Sequence, residues 1–100
     1  FIDAHGSLVI ATNANPGSAP CLSMPMSIAL AVRHLGITAA EAITASTINA
    51  AHLLGYTDSG ILQTGMRADL IMLRHTDERQ LGYEFGGSHV DLVMCNGQII

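Results

Sequence analysis

The chain's densest set of chemistry-bearing groups is residues 11–18, Ala-Thr-Asn-Ala-Asn-Pro-Gly-Ser. Asn15 offers an amide that can donate to a carboxylate, Gly17 a backbone N–H unshielded by any side chain, and Ser18 a hydroxyl. Pro16 fixes φ and holds the segment in one shape. Asn-Pro-Gly is also good turn chemistry, so taken alone the segment reads first as a plain turn. Its setting suggests more. The apolar run Leu8–Ala11 reads as a buried strand that ends in this loop, and a helical pattern follows. Strand-to-helix loops of this kind carry catalytic groups in α/β enzymes, above all at the C-terminal ends of barrel strands.

Other titratable groups are less suggestive. His5, His34, His52, His75 and His89 show neither His-x-His nor His-Glu-x-x-His spacing, so spacing completes no metal site. His34 and His52 fall near predicted helix C-termini, where positive charge is favourable. Cys21 and Cys95 lack Cys-x-x-Cys spacing and read as buried thiols of a reducing cytoplasm. Asp69 and Asp91 each stand near the start of a predicted strand. The methionines read as gap-fillers in a core.

The elements that must position the loop follow from pattern and punctuation. Phe1–Ala4 looks like a helical tail, with Gly6 as the break. Met24–Leu35 reads as a helix with Pro25 in its first turn and Gly36 at its stop. Its apolar residues cover most of the circumference, which predicts extensive burial. Thr38-Ala39-Ala40-Glu41 is a capping box opening a helix to about Ala45. A further turn or two spans Ile48–Leu54, with Thr47 or Ser46 as N-cap. Beyond Gly60 the period changes: Ala68–Leu73 and Val90–Met94 read as strands, with a helical turn near Glu78–Leu81 between them. Asn96-Gly97 marks a type I′ hairpin before Ile99-Ile100.

Composition bounds what such a chain does. It has 100 residues, 49% apolar and 12% charged, with mean hydropathy +0.39. So short a chain cannot bury that much apolar surface alone, which predicts that it packs against more protein. A net charge of -4 with only four Lys+Arg argues against nucleic-acid and anionic-membrane partners. No apolar run approaches the roughly 18 residues of a membrane span; the longest is Ile28–Val32. Phe1-Ile2-Asp3 lacks the basic start of a signal peptide.

The Asn13-Ala14-Asn15-Pro16-Gly17-Ser18 loop resembles the one after the last barrel strand of the imidazolonepropionase family, amidohydrolases whose pattern is Thr-Asp-x-Asn-Pro-Gly-Ser/Thr. The likeness continues through Met26–Ala29, Thr38–Ala42, Thr47–Ala51, Gly60–Leu70, Tyr83–Gly87 and Val93–Gly97. The Gly-x-Leu and Gly-x-x-Ala-Asp-Leu portions belong to amidohydrolases at large. The Asn-Pro-Gly-Ser loop and Tyr83–Gly87 look like the narrower family.

The resemblance implies an α/β fold: the C-terminal part of an amidohydrolase-type (β/α)8 barrel plus returning strands of a small β-sandwich. Residues 1–56 would supply the last strand, its loop and the closing helices, and residues 57–100 the sandwich strands of a much longer chain. It also implies zinc- or iron-dependent opening of the ring of 4-imidazolone-5-propanoate to N-formimidoyl-L-glutamate in histidine degradation, in a homodimer. Asn15, Gly17 and Ser18 match family positions that contact substrate, and Asp69 resembles a structural Asp at the start of a sandwich strand. Asn13 stands where the family places a metal-binding, proton-shuttling Asp. An amide offers a neutral carbonyl and no basic site, so the expectation is an impaired metal site and a fragment inactive alone. The alternatives are another cyclic-amide amidohydrolase, or a catalytically dead relative that binds ligand or serves structurally.

Overall fold

The computed structural model describes residues 1–100. Helix α1 (Met24–Leu35) opens on Ser23, whose Oγ accepts the Met26 N–H, and closes on Gly36 at φ 67°. Helix α2 (Ala39–Ser46) carries the full capping box. The Thr38 hydroxyl accepts the Glu41 N–H, and the Glu41 carboxylate accepts that of Thr38. Helix α3 (Ile48–Leu53) follows directly. Its expected hydroxyl cap is absent: Thr47 Oγ1 donates to Ile43 O and Ser46 Oγ to Ala42 O, both at 2.7 Å. Hydroxyls at the end of one helix bond back onto its last turn rather than forward into the next.

Strands β1 (Leu70–Leu73), β2 (Val90–Cys95) and β3 (Gln98–Ile99) form an antiparallel sheet in that order, with the short helix α4 (Gln80–Tyr83) between β1 and β2. The register pairs Leu70 with Met94 and Met72 with Leu92, then slips at a bulge so that Leu73 meets Val90. Asn96 (φ 50°) and Gly97 (φ 80°) make the hairpin turn with the two positive φ angles a type I′ turn needs. The Asp69 carboxylate accepts the Asn96 N–H at 2.7 Å and pairs with Arg67, tying the start of β1 to that turn. These two contacts, the Asn96 N–H first, hold its carboxyl below the ordinary carboxylate range.

The core is small. Only nine residues are buried, and its main cluster is Ile28, Ala42 and Leu81, flanked by Ile10, Val32, Ile37, Ile43 and Leu73. Alanines 29, 31, 45 and 51 let the helices approach. Gly82 does the same for α4, since a Cβ there would stand 3.0 Å from Val32 Cγ2. Arg33 pins the end of α4: its Nη2 donates to Tyr83 O at 2.6 Å, and the guanidinium lies 4.5 Å over the Phe85 ring.

Four further expectations differ from what the chain does. Helix α1 is only partly buried, with Leu30 and Leu35 exposed, because the helices cover one side of it. Residues 8–11 form no strand, because the chain offers no ladder partner there; Ile10 N–H bonds Ala45 O at 3.1 Å instead. Phe1–Ala4 is a single 3-10 turn over Ile2–Ala4, and the left-handed residue that ends it is His5 (φ 63°), not Gly6. Gly6 serves a close approach, because a Cβ would overlap the Phe1 ring. Neither thiol is buried: Cys21 is half-buried and Cys95 exposed, both free, since Cys95 occupies the last residue of β2 beside the turn.

Candidate active site

Residues 8–18 are held by the helices in place of a strand neighbour. Besides the Ile10–Ala45 bond, the Asn49 side chain donates to Leu8 O at 2.9 Å from α3. The loop beyond turns at Asn13, which sits at φ 50°, a left-handed conformation that Asn tolerates better than most residues. The turn brings Asn13, Asn15, Gly17 and Ser18 together. Asn15 Nδ2 donates to Asn13 O at 2.7 Å. Asn15 Oδ1 accepts from Gly17 N–H (3.0 Å), Ser18 N–H (2.8 Å) and Ser18 Oγ (3.3 Å). A bridge between Asn15 and Ala19 closes the loop.

The result is a set of N–H and O–H donors focused on one oxygen, and that oxygen belongs to Asn15 itself. The geometry is an Asx-type turn. It is also an arrangement in which an incoming carboxylate oxygen finds the same three donors. Gly17 and Ser18 are exposed, so the donors are reachable from solvent.

Residues 11–18 contain no ionisable side chain, and they do not fit a metal centre. The one candidate ligand among them at the expected position is the neutral Asn13 amide oxygen, a weak partner for a divalent ion beside a carboxylate or imidazole. The groups whose titration is displaced lie in surface ion pairs away from this loop. Hydrogen bonds from Arg79, those of the side chain first and that of the backbone N–H second, bring the Asp77 carboxyl down to about 2, and Asp69 and Arg67 perturb each other.

One cluster follows no sequence spacing. His75, Glu84 and His89 each place a ligand atom within 4.8 Å of the others. They come from the end of β1, the end of α4 and the start of β2, so no local motif announces them. His34 and His52 do lie in the last turns of α1 and α3.

Comparison with known proteins bears on the whole chain. The amidohydrolase family model matches residues 2–100. The imidazolonepropionase of Herpetosiphon aurantiacus is 46% identical over 101 residues, covering 100% of this chain and 24% of the relative. That of Chloroflexus aggregans is 45% identical with the same coverage, and that of Deinococcus deserti is 47% identical over 90% of this chain and 23% of its own length. The chain therefore spans about a quarter of the length of the curated relatives it matches. A family match across nearly every residue, joined to a mixed α/β fold with a small antiparallel sheet, establishes that the chain belongs to the amidohydrolase family.

Proposed function

We propose that this chain supplies the substrate-binding loop of an imidazolonepropionase-like hydrolase, one that opens the ring of 4-imidazolone-5-propanoate to N-formimidoyl-L-glutamate. The observation that carries the reading is the likeness to proteins named imidazolonepropionase across the entire chain, at 46% and 45% identity for two of them. The donor cup at Asn15 supports it chemically. The propanoate carboxylate replaces Asn15 Oδ1 as acceptor for Gly17 N–H, Ser18 N–H and the Ser18 hydroxyl, and the Asn15 amide adds a donor. Pro16 keeps the cup from collapsing when Asn15 shifts.

On this reading residues 1–56 complete a barrel as its last strand, loop and closing helices. Residues 57–100 return to a small sandwich domain. The chain binds and orients, but it does not take a proton: Asn13 has no basic site with which to activate water. The matching experiment is thermal stabilisation of the intact protein. Stabilisation by 4-imidazolone-5-propanoate and not by other cyclic amides is the expected result. Equal stabilisation by unrelated cyclic amides would move the assignment to another amidohydrolase.

A second reading has its own observation. The Asn13 amide and the internally bonded loop suit a catalytically dead relative that retains ligand binding. Substrate that stabilises the intact protein but is never turned over, even by the Asn13→Asp variant, would select it.

A further inference from the structure

We propose that His75, Glu84 and His89 form a site for a zinc-like divalent cation. The key residue is His89, whose side chain is 2% exposed. Its Nε2 lies 2.8 Å from Glu84 O. A carbonyl only accepts, so Nε2 carries the proton and Nδ1 is left with its lone pair. That Nδ1 is buried and has no hydrogen-bond partner. A neutral imidazole that donates one ring N–H to a backbone carbonyl while presenting the other nitrogen bare is the usual state of a metal-ligating histidine.

The other two candidate donors lie close to each other and to the His89 ring. His75 Nε2 is 3.4 Å from Glu84 Oε2, and the two imidazole centroids are 5.5 Å apart at an edge-on 62°. Glu84 Oε1 sits so close to Gly87 that a Cβ there would collide with it, so the glycine leaves the carboxylate its room. One nitrogen from each ring and one carboxylate oxygen lie within 4.8 Å of one another. Around a tetrahedral zinc with bonds of about 2.0–2.2 Å, ligand atoms stand roughly 3.4 Å apart. The side chains of His75 and Glu84 are 32% and 45% exposed, so both are free to make that small inward move.

The backbone ties His89 to the residue before His75. Arg74 N–H bonds His89 O at 2.8 Å where β1 and β2 meet. Two imidazoles and one carboxylate are a borderline N,N,O donor set, which suits zinc over calcium or magnesium. Solvent on the His75–Glu84 side supplies the fourth ligand. Bound there, the ion would clamp both ends of the 74–89 connection to the sheet.

The proposal does not rest on the assigned hydrolase activity, and its test reads bound metal rather than turnover. The intact protein is stripped with a chelator, then titrated with zinc alone while binding and thermal stability are followed. His75→Ala and Glu84→Gln, at partly exposed positions, are the informative variants, because His89 is buried and its replacement risks the fold. The expected result is one equivalent fewer of bound zinc, or affinity at that equivalent weakened by about tenfold or more, with the zinc-induced stabilisation lost in step. Identical stoichiometry, affinity and stabilisation in the unmodified protein and both variants would overturn the site. In that case an ordered water satisfies Nδ1.

Discussion

At the scale of single residues, position 13 is where the proposed function makes its sharpest prediction. Asn13 and Asp are nearly isosteric, so on the proposed function Asn13→Asp supplies a base and a charged ligand without disturbing the left-handed turn. The expected gain in turnover by the intact protein is about 10²–10⁴-fold, the usual contribution of a general base, measured on 4-imidazolone-5-propanoate. That Asn15-Pro16-Gly17 would turn the chain was legible in the sequence. What was not legible is the left-handed backbone at Asn13 (φ 50°) and the hold of α2 and α3 on residues 8 and 10, because both depend on packing against segments distant in sequence. Asp77 gives a second residue-level expectation. Its carboxyl is depressed from 3.8 to about 2, through the side-chain and then the backbone hydrogen bond from Arg79. A depressed carboxylate contributes stability that is fully present above the unfolded value and is lost as pH falls through the folded one. The local order at the start of α4 should therefore hold down to pH near 4 and fade toward pH 2. An NMR titration of Asp77 should show its midpoint near the lower value, returning toward 3.8 in Arg79→Ala.

At the scale of elements, local signals were reliable where the physics is local. The Thr38–Glu41 box, the Pro25 and Gly36 bounds of α1 and the Asn96-Gly97 hairpin each satisfy their own backbone within a few residues. Thr38→Ala should lower stability by about 0.5–2 kcal/mol in urea unfolding, the usual cost of a lost N-cap. Gly60 tests close packing: it combines φ 93° with a Cβ position 2.8 Å from Ala51 Cβ and 3.1 Å from Thr47 O. Gly60→Ala should cost about 1–3 kcal/mol, whereas Gly55→Ala, at φ 80° in open space, should cost about 1. Thermal melts of the two variants side by side check the ranking. Signals that depend on a distant partner failed. Leu8–Ala11 has a strand's composition but no ladder neighbour, and the His75–Glu84–His89 group is assembled from three segments that share no spacing.

At the scale of the whole molecule, the apolar content read from the sequence is left over after folding. Nine buried residues stand against broadly exposed Leu22, Leu53, Leu54 and Leu62, each at least 71% accessible. The Ile71 and Met72 side chains on the sheet are about half exposed as well. So many exposed large apolar side chains, with so few residues buried, leave most of the chain's apolar surface uncovered. No helix is long and apolar enough to cross a membrane. On the proposed function these faces seat against the remainder of the barrel and sandwich, which is why a chain of this size folds its helices yet closes no full core. The most direct measurement is unfolding of the isolated 100-residue chain, followed by calorimetry with dye binding and sedimentation. The expected result is strong dye binding, self-association and a broad melt. A monomer that melts in one sharp transition and leaves the dye unbound would contradict the idea that these faces await further protein.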